Sequence, residues 1–569
     1  MVLDLVYEAI RREIGWERRK LISRVVELID CNNPSLHIIS LPTGYGKSSF
    51  VFSSAVSSLM GSCSFSTIYA SPLRSLSDDI YYRFKSILKH VLDDGVIDRL
   101  VGLQYSGSPG SIYLNKPVVF TTFDTLLLHV LKLPPPEIGR IARALISGSY
   151  YAGHHEVSRG TLADSTVYID EPHLALGDTV MLKTLVSAIL FLRYINSNVV
   201  ILSATMPNRL VEVFRRASLE SLVNMKTRVI RYGYDYIDEE FESTVSQQRI
   251  RSSYKRKPLQ NDTISELRGD GRTLIVVNTR RKAVELYSSL SSRLPVDVFI
   301  LHGFMTKNDR IEIQDRVRKN LRKGRPTTLI STQVVEVGFD ASFDVLITEE
   351  APIPSLVQRA GRIARWGEEE GYINIHRAEV ADPYRNEELE RTRLALNAYV
   401  DGNRSLKVSW RSADPPEGYI SYIDLVEKHT YMPEISDSDI ITIYRKIRDP
   451  AKWIMWMISN LASQRLVRES RIIPLYVEGR IEEGEIPASH STLKKLFNNK
   501  CIDGILIQGD EIPLTGYTSQ YYDVLKSILR DDPLTSWIRM IDWGIEGFII
   551  KNKCYEAEAY GNGAPSLQG

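Results

Sequence analysis

Cysteine is scarce in this chain. Four stand among 569 residues, Cys31, Cys63, Cys501 and Cys554, and no two share a CxxC spacing. Such isolation argues against a disulfide framework or a zinc knuckle and makes a cytoplasmic protein with reduced thiols the expectation. No apolar run approaches the roughly 18–20 residues that span a bilayer, so no membrane segment is expected. The opening MVLDLVYEAIRREIGWERRK is helix-like and charged throughout, which is not the pattern of a secretory leader. Neither charge sign prevails: 71 basic and 70 acidic side chains leave a net charge of +1. A chain-wide basic field is thereby excluded, and a polyanion would be met by local patches. One candidate patch is 307–325, where eight Lys or Arg face three Asp or Glu on what also reads as a solvated helix face.

What is present is the composition of folded domains, 43% hydrophobic and 25% charged. The length suits three or four units of about 150 residues. In the first part, LHIIS (36–40), STIYA (66–70), VVFT (118–121), TVYID (166–170) and NVVILS (198–203) read as buried parallel strands. Helix-spaced segments at 47–60 and 74–92 fall between them. This alternation is the signature of a doubly wound α/β domain. The pattern repeats with TLIVVN (273–278), VDVFIL (296–301), TTLIS (327–331), DVLITE (344–349) and YINI (372–375), with helices at 282–294 and 309–324. A polar linker is expected within 220–265. The expected domains are 1–225, 226–390 and a smaller, mainly helical 391–569.

Three clusters carry chemistry. Strand 36–40 runs into LPTGYGKSS and then a helix, so Thr43, Gly44, Tyr45, Gly46, Lys47, Ser48 and Ser49 form a candidate phosphate cradle. Gly44 and Gly46 permit the tight turn, Lys47 can reach the β- and γ-phosphates, and Ser48 offers a hydroxyl to Mg²⁺. Leu41 stands where the full phosphate-loop pattern has its first glycine. In TVYID-EPH, Asp170 and Glu171 close a buried strand, a costly pairing that suits a metal-holding carboxylate beside a general base, with His173 two residues on. Ser203 and Thr205 of SATMP could link this site to a cleft. In the second half, STQVVEVGFD precedes QRAGRIAR (358–365). A helix there would project Arg362 and Arg365 from one face as arginine fingers, with Gln358 a turn earlier. Gly338 would allow close approach and Asp340 could accept a ribose hydroxyl.

Taken in order, these motifs resemble superfamily-2 helicases of the DExH kind, which have two RecA-like domains. The run TQVVEVGFDASFDVLITEEAPIPSLVQRAGRIAR (332–365) is similar to the matching stretch of the CRISPR-associated helicase of type I interference systems, as are LPTGYGKSS, DEPH and SATMP. The likeness covers roughly 36–376. It implies ATP and Mg²⁺ as cofactors, 3′-to-5′ movement on single-stranded DNA, and recruitment by an RNA-guided type I surveillance complex. By motif, it also places Pro72, Arg74, Thr121, Thr122, Asn278, Thr279 and Thr332 along a nucleic-acid track. Many members carry an N-terminal metal-dependent HD nuclease. Here the phosphate loop begins near 41, and the pair His154-His155 lacks a partner Asp. The expectation is a helicase-only form served by a separate HD-type nuclease subunit. For adenine, Trp16, Arg18 and Arg19 are the candidates. Two other readings stay open: a general DNA or RNA helicase of repair or RNA processing, and an ATP-gated nucleic-acid clamp that does not unwind.

Overall fold

The computed structural model describes residues 2–30, 33–105, 108–138, 140–141, 144, 153–175, 179–216, 226–260, 271–336, 338–401, 405–413, 418–432, 434–449, 472–507, 509–514, 520–530, 536, 539–540 and 543–561. The first sheet contains β1 (Leu36–Ser40), β2 (Thr67–Ser71), β3 (Val101–Tyr105), β4 (Ser108–Pro109), β5 (Val118–Thr122), β6 (Thr166–Asp170), β7 (Asn198–Ser203) and β8 (Thr227–Arg231). Their order is β4-β3-β5-β2-β6-β7-β1-β8, parallel except for the β3–β4 hairpin. The central strands are buried along their whole length, which is why they read as unbroken Val- and Ile-rich runs. Ser40, Thr122, Asp170 and Ser203 all stand at their carboxyl ends, the edge where open α/β sheets place ligands.

The second sheet contains β9 (Arg249–Pro258), β10 (Arg272–Val276), β11 (Asp297–Leu301), β12 (Thr327–Ser331), β13 (Val345–Glu349), β14 (Glu370–Arg377) and β15 (Ser405–Leu406). They lie in the order β11-β12-β10-β13-β14-β9-β15, with only β15 antiparallel. All ten strands expected from sequence appear here and in the first sheet. Those not anticipated are mainly edge or near-edge strands. The segment RIRSSYKRKP, read as polar linker, is β9: charged residues point outward and Ser252 and Tyr254 inward. Likewise β8 pairs with β1 although half-exposed. Hence the first sheet runs past the expected boundary at 225, to Arg231, and the second runs past 390, to Leu406.

Beyond the second sheet, helices surround a five-stranded mixed sheet that the sequence reading did not include. Its strands are β16 (Ile472–Val477), β17 (Ile486–Ser489), β18 (Ile502–Ile507), β19 (Asp510–Pro513) and β20 (Ile545–Ile550), ordered β17-β16-β20-β18-β19. The helix Asp437–Arg448 packs Ile440, Ile443, Tyr444 and Ile447 into the apolar layer beneath the first sheet, where Ser187 Oγ donates to the Ile440 carbonyl at 3.0 Å. The expectation of four reduced cysteines is corrected. Cys501 and Cys554 are bridged across 53 residues of sequence, and Cys63 is also disulfide-bonded. Sequence spacing hides the first bridge because the fold makes it: Lys551 N–H donates to the Cys501 carbonyl at 2.9 Å, setting the helix Asn552–Tyr560 beside β18. Cys31 lies outside the described residues. Among the described residues, no helix is long and apolar enough to cross a membrane.

Candidate active site

After β1 the chain turns through Gly44 (φ 83°) and Gly46 (φ 109°), left-handed conformations that favour glycine, and the helix Lys47–Leu59 begins at once. A Cβ on Gly46 would stand 3.0 Å from Ile22 Cδ1. A helix start carries unpaired backbone N–H groups and the positive end of the helix dipole. Thr43, Gly44, Lys47 and Ser48 line that cleft. Two expected cradle residues turn elsewhere. The Tyr45 side chain is buried against Tyr232 and Phe241 at ring distances of 5.3 and 5.1 Å, and its hydroxyl donates to Asp238 at 2.7 Å. Ser49 Oγ donates to the Gly46 carbonyl at 2.7 Å, closing the first helical turn.

Asp170 and Glu171 are both buried at the end of β6. The Lys47 ammonium pairs with Glu171. Glu171 also accepts from Ser203 Oγ and Ala204 N, each at 3.0 Å, and lies 3.2 Å from His173 Nδ1. Burial pushes its carboxyl upward, but Lys47 and His173 outweigh burial and hold it well below the usual range. Glu171 takes φ 53°. For a residue with a Cβ this costs about 1–2 kcal/mol. Asp170 behaves oppositely. Burial lifts it to about 6 against the pull of Lys47, with Glu171 adding to the rise. Its Oδ2 accepts from Tyr69 at 2.5 Å, while its Oδ1 is buried without a partner. His173 Nδ1 stands 2.9 Å from Ser203 Oγ, so the SATMP segment meets the carboxylate pair directly. Thr205 is buried beside it with its hydroxyl unpartnered.

The second half forms the opposite wall. Gly338 (φ 76°) abuts the helix Arg74–Leu88, where a Cβ would stand 3.0 Å from the Ser75 carbonyl. Gly361 abuts the loop itself, where a Cβ would stand 3.2 Å from Thr43 Oγ1. The expected helix over 358–365 is corrected: it spans Ile353–Ala360 and stops. Ile363 then forms a parallel bridge to Phe343, and Ala364 takes φ 48°. Arg362 and Arg365 nevertheless line one cleft with Gln358, placed by this turn rather than by helical spacing. Arg362 is anchored by Nε to the Val335 carbonyl at 2.9 Å and by Nη2 to the Glu336 carbonyl at 2.6 Å. Arg365 Nε donates to Asp340 at 2.9 Å, so the acid expected at a ribose is here an arginine partner. Gln358 Nε2 is buried and unpartnered.

The expected track residues divide. Thr121 and Thr122 are buried, donating to the Gln104 carbonyl at 2.5 Å and to Thr125 Oγ1 at 3.0 Å. Asn278 is buried, its Nδ2 donating to the Glu350 carbonyl at 2.7 Å, and Thr332 is buried at the end of β12. These side chains serve the strand ends themselves. Pro72 and Thr279 are partly exposed, and Thr279 caps the helix Arg280–Leu290. Arg74 pairs with Glu485 from beyond the second sheet. Sequence reading missed Arg359, which is fully buried and bonded to Glu336, Thr348, Asn278 and Tyr384. It also missed Asp79, which lines the cleft and pairs with Arg318 at 3.4 Å. The i,i+4 spacing of Asp79 and Arg83 was the available signal, and on a helix such spacing implies no more than a surface ion pair.

A family model described as DEAD/DEAH box helicase matches residues 23–213, and one for the C-terminal part of CRISPR-associated nuclease/helicase Cas3 matches 269–368. The chain is 24% identical over 342 residues to the CRISPR-associated nuclease/helicase Cas3 of Methanothermobacter thermautotrophicus, covering 59% of this chain and 39% of that protein. It is 26% identical over 299 residues to the CRISPR-associated helicase Cas3 of Thermoproteus tenax, covering 52% of this chain and 47% of that one. The matches thus span less than half of these relatives. A chain in a structure of a CRISPR RNA-guided surveillance complex, pre-nicking, has the same fold at a TM-score of 0.53 and 18% identity, covering 83% of this chain and 59% of that one. The two doubly wound halves are RecA-like domains, and the chain is similar in sequence to DEAD/DEAH box helicases over its first part and to Cas3 proteins over its second.

Proposed function

We propose that the chain is a nucleic-acid-stimulated ATPase that moves 3′ to 5′ along single-stranded DNA as a helicase of CRISPR interference. The observation that carries this reading is the cleft of about 110 Å³ shared by Lys47, Ser48, Asp170 and Glu171 with Gln358, Arg362 and Arg365. The turn at Gly44 and Gly46 suits the phosphates of ATP. The residues also fit Mg²⁺: the orphaned, buried Asp170 Oδ1 and the Ser48 hydroxyl face the same cleft. A bound Mg²⁺ would neutralise phosphate charge, with the phosphates and water completing its shell.

The chain's own residues then divide the work. Lys47 exchanges Glu171 for phosphate oxygens when nucleotide arrives. That exchange leaves Glu171 ionised and oriented by Ser203, Ala204 and His173, ready to accept a proton from the attacking water. Arg362 and Arg365 supply guanidinium N–H groups as negative charge develops on the γ-phosphate. Each half alone is incomplete, so DNA spanning both should favour closure and raise turnover.

Kinship with Cas3 proteins supports recruitment by an RNA-guided type I surveillance complex. Cleavage is assigned to a separate HD-type nuclease subunit, a reading supported by the Thermoproteus tenax relative, which is described as a helicase alone. The test is ATPase rate against single-stranded DNA concentration for wild type and Arg365→Ala. Stimulation should appear in wild type and largely vanish in the variant, with ATP affinity changed only a few-fold. Equal stimulated rates would remove the finger assignment. Strand displacement on a tailed duplex, run on DNA and on RNA, separates this reading from a clamp and from an RNA helicase.

A further inference from the structure

Arg411 lies past every motif, on the segment after β15, yet its guanidinium reaches the phosphate loop. A Cβ placed on Gly44 would stand 3.6 Å from Arg411 Nη2. Its Nη1 donates to the Ala364 carbonyl at 2.6 Å and to Gln248 Oε1 at 2.7 Å. Ala364 directly precedes Arg365, so one side chain touches both walls of the cleft. Arg411 Nε is buried and unpartnered. Among the described residues no carboxylate pairs with it, and Glu368, the acid whose field it feels, pairs with Arg272 at 3.1 Å. Arg365 adds like-charge repulsion. A largely buried cation beside another cation is costly unless an anion completes it.

The neighbours fix Arg411 in place. Trp410 Nε1 donates to Ser252 Oγ at 2.7 Å. Ser412 Oγ and Ala413 N donate to Glu242 at 2.9 and 2.7 Å. Glu242 also accepts from the Tyr232 hydroxyl at 2.7 Å, and Tyr232 packs on Tyr45 of the phosphate loop. The segment carrying Arg411 and the loop are therefore tied together through Glu242 and Tyr232. We propose that Arg411 is a third arginine of the nucleotide site, lending its positive charge to the phosphates of a bound nucleoside di- or triphosphate. The inference rests on the ATP reading above. Because Arg411 is already fixed against the loop, it acts on substrate and product alike and strengthens binding more than it speeds chemistry.

The test is anisotropy titration of full-length protein with a methylanthraniloyl ATP analogue and Mg²⁺, for wild type, R411Q, R411K and K47A. R411Q should weaken binding about 10- to 100-fold, the range for a lost charge-assisted contact. R411K keeps the charge and should lose clearly less. Wild-type affinity in R411Q, or equal losses in R411Q and R411K, would overturn the proposal. If wild type itself fails to bind, the ATP reading falls instead. Should R411Q not fold, dicarbonyl labelling of wild-type Arg411 with and without Mg²⁺ and ATP decides. Protection by nucleotide supports the proposal, and equal labelling overturns it.

Discussion

Glu171 shows how much one residue is asked to do. Its left-handed backbone carries it off the end of β6 while its N–H still donates to the Leu202 carbonyl at 2.8 Å. The side chain thus meets Lys47, Ser203, Ala204 and His173 together, whereas Asp170 one residue earlier keeps an oxygen empty. Sequence made the two carboxylates legible but not their opposite shifts in acidity, Asp170 raised by burial and Glu171, against burial, lowered by Lys47 and His173. Glu171→Gln preserves shape and removes the base. Turnover should fall at least about 100-fold while ATP still binds, as read by steady-state kinetics beside equilibrium titration. Turnover near the wild-type rate would take the base role from Glu171.

Among the elements, the helix Ile353–Ala360 is informative because it stops early. Had it continued, the spacing argument for Arg362 and Arg365 would have held. Instead the Phe343–Ile363 bridge reverses the chain, and Gly361 rests against Thr43. Gly361→Val should push the two walls apart and lower DNA-stimulated ATPase at least about 10-fold, while Gly361→Ala, which asks a few tenths of an ångström of Thr43, should cost much less. Equal, wild-type-like rates in both variants would show that this contact does not matter. The Cys501–Cys554 bridge belongs to the same scale. Closing 53 residues, it restrains the unfolded third-sheet region by about 4 kcal/mol on the chain-entropy account. Cys501→Ser should lower the melting transition of that region, and a transition unmoved by the substitution or by reductant would refute the estimate.

For the whole molecule, the third-sheet region does more than append helices. Its loop 480–485 touches both halves. Glu485 pairs with Arg74 of the first, Arg480 donates to Asp309 of the second at 2.9 Å, and Gly484 packs on Lys307. Arg74 is also the charged residue expected on the nucleic-acid track, so in this conformation a carboxylate holds it. A phosphate backbone arriving there would have to displace Glu485. Glu485→Gln should therefore tighten single-stranded DNA binding several-fold at low salt, measured by anisotropy, with the gain shrinking as ionic strength rises. Unchanged or weaker binding would mean that the pair only braces the fold.

By itself the sequence determined the strand–helix alternation, the glycine turn ahead of Lys47 and the carboxylate pair, because each depends on local spacing: unbroken apolar runs, glycines at a tight turn, carboxylates at a strand end. Edge strands such as β9 escaped it, since a half-solvated strand carries charges that read as linker. Burial of Thr121, Thr122 and Asn278 escaped it as well, because whether a short polar side chain faces solvent or caps its own strand end depends on what packs above it. Only the tertiary structure brought residues 43–48 within reach of Arg362 and Arg365, bridged Cys501 to Cys554, and set Arg411 against Gly44. Those pairings join positions far apart along the chain. No local pattern records them, for they are fixed by how the packed faces of separate sheets and helices meet.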